Sequence, residues 1–160
     1  MTENAGRAAG RIVVGIDGTA ASLLAVRWAA QEALLRHASL HLVHVSRQYP
    51  RAPYSGLPEA PRSGKDGPDP AAQLAAAERE ADRILPPDRL SSELVAGSPD
   101  EVLVDRSAGA ELLVLGTAYA AMHSTAEMPP AVGSTTRACL HAAACPVVVV
   151  STLIELASAP

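Results

Sequence analysis

The order of apolar and polar residues predicts strands that alternate with helices. The runs "RIVVGID", Arg11 to Asp17, and "SLHLVHV", Ser39 to Val45, are apolar and β-rich, so both are predicted to be strands. Between them, apolar residues recur at spacings of three and four, which predicts a helix from about 20 to 36 with one apolar face: Leu23, Val26, Ala30, Ala33 and Leu34. A strand, a helix and a strand in this order indicate a parallel unit with a right-handed crossover.

The next segment, 47–69, is rich in proline and glycine and is predicted to be a long mobile connection. Asp69 and Pro70 then provide an N-cap and a first helical residue. A second helix is expected over about 71–85, before Pro86 and Pro87, with an apolar face made of Leu74, Ala77, Ala81 and Ile84.

The remaining pattern predicts three more strands and two more helices. "LSSELVAG", Leu90 to Gly97, is less apolar than the others and is expected nearer a sheet edge. Ser98 and Glu101 match a capping box, in which each side chain bonds the other residue's amide, so a helix should start there. "AELLVLG" and "CPVVVVS" are almost continuously apolar, as expected of buried strands, and a helix from Ser134 to about Ala144 lies between them.

Five strands alternating with four helices predict an open α/β sheet of Rossmann or flavodoxin type. We expect one domain over 11–152, with flexible termini at 1–10 and 153–160. In such sheets ligands bind beyond the carboxyl ends of the strands, where the winding reverses. Here those ends are Asp17 to Thr19, His44 to Arg47, Gly97, and Gly116 to Gly133.

Composition and charge argue against nucleic acids and membranes as partners. The chain has 160 residues and a formal net charge of -4, and aromatic residues make up 2% of it. An acidic chain with so few aromatic residues has neither a basic surface nor stacking platforms for DNA or RNA. No apolar run is long enough to cross a bilayer and no secretory signal is evident, so we expect a cytoplasmic protein. Cys139 and Cys145 are then expected to be reduced core thiols.

Two loops offer candidate binding residues, each with an ordinary structural alternative. Asp17 could accept hydrogen bonds from ribose hydroxyls or an adenine amino group while Thr19 caps the helix, or it could simply shape the turn. Gly133 and Ser134 could present amides, a hydroxyl and the positive end of a helix to a phosphate, or they could be a plain helix cap.

No motif of an enzyme or a metal site is present. The sequence lacks the nucleophile elbow of hydrolases, the Walker loop and a dinucleotide-binding glycine motif after the first strand. The turn "DGTAAS" has hydroxyls suited to a flavin phosphate, but few aromatic residues exist to enclose the flavin ring. The five histidines have no metal-binding spacing, and we expect structural or exposed roles; His123, in the crevice loop, is the one to test for ligand contact.

From about Arg11 to Ser151 the chain resembles the universal stress protein family, the UspA-type domains. Four stretches carry the resemblance: "RIVVGIDGTAASLLAVRWAAQEA", "LHLVHV", "AGSPDEVLVDRSAGAELLVLGT" and "GSTTRACLHAAACPVVVV". The resemblance implies a five-stranded parallel sheet in the order 3-2-1-4-5 with helices on both faces, like the adenine nucleotide alpha hydrolases. It also implies a homodimer through the last strand, at Val147, Val148, Val149 and Val150, since an open apolar edge strand can pair with another.

Many members of this family bind ATP through a pattern of glycines after the fourth strand. The pattern is a glycine, two residues, a second glycine, nine residues, and a third glycine followed by Ser or Thr. Gly116 matches the first glycine and Gly133-Ser134 match the last pair, but Tyr119 stands where the second glycine is expected and the loop is about four residues longer. A side chain at Tyr119 and the loss of amides at Pro129 and Pro130 weaken the expected phosphate cradle.

The resemblance therefore implies a dimeric stress-response module with weakened binding of ATP or another adenine nucleotide, with or without Mg²⁺. The residues that correspond to the family's nucleotide site are Asp17, Gly18, Thr19, Val45, Gly116, Thr117, Gly133, Ser134 and Thr135. The alternative is a member that has lost nucleotide and acts only through an unidentified protein partner. We expect no catalysis, with slow ATP hydrolysis as the one reaction to test.

Overall fold

A computed structural model describes residues 10–47, 69–117 and 132–151. The predictions for the termini, for most of the connection 47–69, and for His123, Tyr119, Pro129 and Pro130 lie outside these ranges.

The described residues form one five-stranded parallel sheet in the order β3-β2-β1-β4-β5, which confirms the predicted fold. The strands are β1 (Arg11–Ile16), β2 (Ser39–Ser46), β3 (Leu90–Ala96), β4 (Leu112–Thr117) and β5 (Val147–Ser151). The helices are α1 (Ala20–Arg36), α2 (Pro70–Asp82), α3 (Pro99–Ser107) and α4 (Ser134–Ala142), and a short 3-10 turn spans Pro87–Arg89. The less apolar strand β3 lies at an edge, as its sequence predicts.

Two apolar cores lie on opposite faces of the sheet. The first packs α1 and α2 against one set of strand residues, with Ile12, Val14 and Leu42 among the buried side chains. The second packs α3 and α4 against the alternate residues, such as Val13 and Val43. Alternate strand residues point to opposite faces, so almost continuously apolar strands are needed to fill both cores.

The face of helix α1 that packs on the sheet is made largely of alanine. Its buried residues include Ala25, Ala29 and Ala33. The predicted face was wrong at Leu34, which is 45% exposed. Spacings of three and four are compatible with several rotations of a helix about its axis. In α1 the rotation places the small side chains against the strands and Leu34 toward solvent.

The helices start where the sequence predicts, and two of the three predicted N-cap side chains make their capping hydrogen bond. The Thr19 hydroxyl accepts a hydrogen bond from the Ser22 amide at 3.2 Å, and the Asp69 carboxylate accepts one from the Ala71 amide at 3.1 Å. Each satisfies one of the free amides at the start of a helix. Pro70 follows Asp69 as the first residue of α2, where its missing amide costs nothing.

The predicted capping box at Ser98 is wrong. Ser98 is the N-cap of α3, but its hydroxyl donates to the Asp100 carboxylate instead of accepting from Glu101. The hydrogen bond from Ser98, with smaller effects of the nearby Glu101 and Asp100 amides, holds the pKa of the Asp100 carboxyl below its ordinary value. A carboxylate is a stronger acceptor than a hydroxyl, so the Ser98 hydroxyl donates to Asp100 and does not cap α3.

Smaller differences concern element ends. Helix α2 ends at Asp82 and α4 at Ala142, earlier than the sequence predicts. After α2 the chain turns so that Leu85 enters the core, where it is 2% exposed. Both cysteines are free thiols, with Cys139 buried, as expected. No helix in the described ranges is long and apolar enough to cross a membrane.

Candidate functional site

A cavity of about 310 Å³ lies at the carboxyl ends of β1, β2 and β4, on the face that α3 and α4 cover. The strand order reverses between β1 and β4, and ligands of open α/β sheets bind at this reversal. The lining residues come from five elements: Gly15, Ile16, Asp17, Val43, His44, Val45, Arg47, Pro99, Leu103, Leu115, Gly116, Thr135 and Thr136. Its size is at the small end of the range for ligand pockets.

The structure brings four of the nine predicted binding residues into this lining: Asp17, Val45, Gly116 and Thr135. Gly18, Thr19, Thr117, Gly133 and Ser134 flank the cavity in sequence but do not line it. The two parts of the predicted site, after β1 and at the start of α4, therefore meet at one cavity.

Asp17 shapes the turn and keeps one carboxylate oxygen without a partner. Its Oδ1 accepts from the Thr19 amide at 2.9 Å and from the Thr19 hydroxyl at 2.5 Å. Its Oδ2 makes no hydrogen bond with a residue that the structure describes. The turn-shaping role is thus present, and an acceptor remains for a ligand donor.

Gly18 completes this turn with a left-handed backbone. Its φ of +79° is a conformation that side chains disfavour, and a Cβ there would lie 2.1 Å from Nε2 of Gln73 on α2. The turn after β1 is therefore held between α1 and α2.

Gly116 is required by packing. A Cβ on Gly116 would lie 2.3 Å from the carbonyl oxygen of Ala21 and 2.6 Å from the amide nitrogen of Ser22. The first turn of α1 sits directly on β4 at this point. Glycine here allows the close approach of helix and strand, whatever else it does for a ligand.

His44 is among the lining residues, and its ring is held by Ile16 of β1 and Gln73 of α2. It is 6% exposed, its Nδ1 donates to the Ile16 carbonyl at 2.8 Å, and its Nε2 lies 2.7 Å from Oε1 of Gln73. Both ring nitrogens are therefore engaged, as expected for a satisfied core histidine.

The cavity has charged groups of both signs. Asp17 lies at the end of β1, and Arg47 follows β2. Near the start of α3, the hydrogen bond from Ser98 and, to a smaller extent, the charge of Arg47 hold the pKa of the Asp100 carboxyl below its ordinary value. A ligand with both hydrogen-bond donors and a negative group would find partners for each.

Sequence reasoning missed several lining residues, notably Arg47, Leu103 and Thr136. A signal for Arg47 existed, because residues two apart on a strand share a face and Val43 and Val45 precede it at that spacing. Leu103 and Thr136 lie on helices whose rotation relative to the sheet the sequence leaves open. In the described ranges, no cluster of three His, Cys, Asp or Glu residues could hold a metal ion.

A model of the universal stress protein family matches residues 9–151, which is most of the chain. The chain belongs to this family. Two Mycobacterium tuberculosis members, universal stress proteins Rv2005c and Rv2623, are 32% and 35% identical to it, each over 87% of the chain. The alignments cover 47% and 46% of those proteins, so the chain spans about half the length of these relatives.

Solved structures of family members share the fold. A universal stress protein in complex with cAMP matches with a TM-score of 0.62 and 23% identity, over 90% of this chain and 98% of that one. The Archaeoglobus fulgidus universal stress protein in complex with dAMP matches with a TM-score of 0.60 and 21% identity, over 88% of this chain and 97% of that one. An Arabidopsis thaliana family protein with AMP bound matches with a TM-score of 0.57 and 16% identity, over 89% of this chain and 91% of that one.

Proposed function

We propose that this chain is an adenine-nucleotide-binding module of the universal stress protein family, in which the cavity holds adenosine well and a polyphosphate weakly. The observation that carries the proposal is the cavity itself, where the predicted residues Asp17, Val45, Gly116 and Thr135 meet. Family members of the same fold bind cAMP, dAMP and AMP, each of which has an adenine base and one phosphate.

The chemistry of the lining suits adenosine. Val43, Val45, Leu103 and Leu115 give an apolar wall for the base. The unoccupied Oδ2 of Asp17 can accept from ribose hydroxyls, and a ligand that fills this acceptor gains a charge-assisted hydrogen bond. Apolar walls with a few well-placed polar groups are typical of small-molecule sites.

A thermal melt with and without adenosine, AMP and Mg-ATP tests this function. A ligand at 100 times its dissociation constant adds about 2.7 kcal/mol, a rise of several degrees for a domain of this size. We expect all three to raise the melting temperature, with Mg-ATP giving no larger rise than AMP. The matched variant is Asp17→Asn, which keeps an acceptor for the Thr19 turn, removes the charge and should reduce the rise.

A second candidate is a nucleotide-free member that acts through a protein partner. Two observations favour it: the Thr19 turn engages Asp17, and the α1 contact accounts for Gly116 without a ligand. No rise with any of the three ligands would reject nucleotide binding and leave this candidate.

We also propose that the module binds without catalysing a reaction. Asp17 is the one carboxylate among the lining residues that the structure describes, and the ring nitrogens of His44 are engaged. No base is therefore placed to activate water. Phosphate release from Mg-ATP should equal the blank; release that Asp17→Asn abolishes would overturn this proposal.

The proposed assembly is a homodimer through β5. This strand pairs with β4 on one side, and its other edge is open among the described residues. Val147, Val148 and Val149 are each partly exposed. An open edge of valines is a surface that a second copy of the strand could cover.

A further inference from the structure

Arg47 is an exposed cation that lines the cavity and has no partner among the described residues. It lies just beyond the end of β2, and two residues of the first turn of α4, Thr135 and Thr136, line the same cavity. The other arginines near the sheet are engaged: Arg106 with Glu93, and Arg89 with the Ala33 and Ala38 carbonyls. Arg47 makes no hydrogen bond or ion pair with any residue that the structure describes. An unpaired guanidinium beside a cavity is suited to an anionic group of a ligand.

Thr136 brings a hydroxyl to the same cavity, and none of the residues in the described ranges bonds it. It is 7% exposed, so the rest of its surface is enclosed, and it lines the cavity. No hydrogen bond joins its hydroxyl to a described residue, and the oxygen is not sealed from solvent. A polar group so deeply placed is ordinarily satisfied by protein, water or ligand.

The backbone of α4 adds donors next to Thr136. The N-cap of this nine-residue helix is Gly133, which makes no side-chain cap. The amides of Ser134, Thr135 and Thr136 are in the first turn and have no acceptor among the described residues. Such amides favour an anion, and the helix dipole adds to the effect.

Charge is thus divided across the cavity. Asp17 provides a negative group at β1, whereas Arg47 and the first turn of α4 provide positive ones. Asp100, on α3, lies near enough for the charge of Arg47 to add to the larger effect of the Ser98 hydrogen bond in lowering its pKa. The two residues nevertheless form no ion pair. A ligand that presents hydroxyls to Asp17 and one anionic group to Arg47 matches both ends.

We propose that Arg47 and Thr136 bind the phosphate group attached to the sugar and make the site select phosphorylated adenosine over adenosine. This inference rests on the proposed function and assigns the selectivity of the same site to two residues outside the glycine pattern. Arg47 supplies a charge-assisted hydrogen bond, and Thr136 supplies a hydroxyl donor at the base of α4.

Isothermal titration with adenosine and with AMP tests it. For the unaltered protein, AMP should bind at least about tenfold more tightly than adenosine, as expected of a charge-assisted hydrogen bond. Arg47→Gln should bring the affinity for AMP to within about threefold of that for adenosine, while leaving adenosine unchanged. The AMP affinity should also fall with added salt more steeply than the adenosine affinity.

Two further variants separate ligand contact from structure. Thr136→Val keeps the shape of the side chain and should lower the affinity for AMP by about fivefold. Because the hydroxyl has no partner to lose, the melting temperature of the free protein should stay the same or rise. Arg137→Gln removes an exposed positive charge from α4 outside the cavity lining, and it should leave the ratio of the two affinities unchanged.

The outcomes distinguish this inference from the function on which it rests. If adenosine binds as tightly as AMP, or if Arg47→Gln weakens both ligands equally or neither, the selectivity role is overturned and the nucleotide site stands. If neither ligand binds the unaltered protein, both proposals fail. A loss of AMP selectivity in Arg47→Gln but not in Arg137→Gln supports the assignment.

Discussion

The α carbon of Gly116 on β4 lies so close to Ala21 that a Cβ would come within 2.3 Å of the Ala21 carbonyl oxygen. Helix α1 and strand β4 meet backbone to backbone here, so no side-chain rotation can relieve the overlap. We predict that Gly116→Ala lowers the free energy of unfolding by about 2 to 4 kcal/mol. Urea denaturation would measure it.

The control for this prediction is Gly133→Ser, at the other end of the same loop. Gly133 has a φ of -58° and open space where a Cβ would be. Serine is a better N-cap than glycine, so stability should change by no more than about 0.5 kcal/mol. Equal losses of stability in the two variants would show that the contact between α1 and β4 is not the reason why position 116 requires glycine.

A second prediction concerns the end of α1. His37 ends the helix with a left-handed backbone, φ +56°, and its amide bonds the Ala33 and Leu34 carbonyls. Glycine adopts this conformation without strain, so His37→Gly should raise the free energy of unfolding by about 0.5 to 1 kcal/mol. The same substitution in the last turn of α4, His141→Gly, should lower it by about 0.5 kcal/mol, because glycine is a poorer helix former than histidine. A loss of stability at both positions would contradict the strain argument.

Glu93 gives the protein an acid-sensitive contact between β3 and α3. The hydrogen bond from Arg106, joined by one with His41 and opposed by partial burial, lowers the pKa of Glu93 from 4.5 to about 2. The Glu93 to Arg106 separation is 2.6 Å, and both side chains are about 30% exposed. Solvent screening therefore reduces the upper limit of about 3 kcal/mol for such a shift to about 1 kcal/mol.

Because the folded state lowers this pKa, the stabilisation is fully present above pH 4.5 and is lost as the pH falls toward 2. Glu93→Gln should therefore be less stable than the unaltered protein at pH 7, and the difference should shrink at low pH. Denaturation at a series of pH values would measure this. Glu101→Gln removes an exposed carboxylate without a described partner, so it should change the free energy of unfolding by less and with less dependence on pH. Identical pH profiles for the two variants would reject the contribution of the Glu93 contact.

A fourth prediction tests the proposed dimer through the backbone of β5. The Leu113 amide donates to the Pro146 carbonyl. Since alternate residues of a parallel strand bond the same neighbour, the amide of Val149 faces the open edge. Val149→Pro removes that donor without breaking a bond to β4, and proline is tolerated at such edge positions.

Sedimentation of the unaltered protein should show a dimer and that of Val149→Pro a monomer with unchanged helical circular dichroism. Val149→Thr keeps both the branched shape and the amide, so it should remain a dimer. A monomeric unaltered protein at high concentration would remove the proposed interface, and a dimeric Val149→Pro would move it away from this edge.

Local sequence was sufficient wherever a residue's role depends on its neighbours along the chain. Thr19 and Asp69 were predicted as N-caps, and both bond amides within three residues of themselves. The succession of strands and helices along the chain followed from the periodicity of apolar residues. The order of the strands within the sheet came from the family resemblance. At Ser98 local reasoning failed because the Ser98 hydroxyl donates to the Asp100 carboxylate and so makes no capping bond.

The sequence by itself determined the fold, the family and the two loops that meet at the cavity, since strand and helix patterns and glycine spacing are written in consecutive residues. Tertiary structure decided which residues line that cavity. Arg47 and Thr136 are far apart in the chain, and both line the cavity because β2 ends and α4 begins at the carboxyl edge of the sheet. Gly116 acquired its role in the same way, because only the packing of α1 on β4 leaves no room for a side chain there.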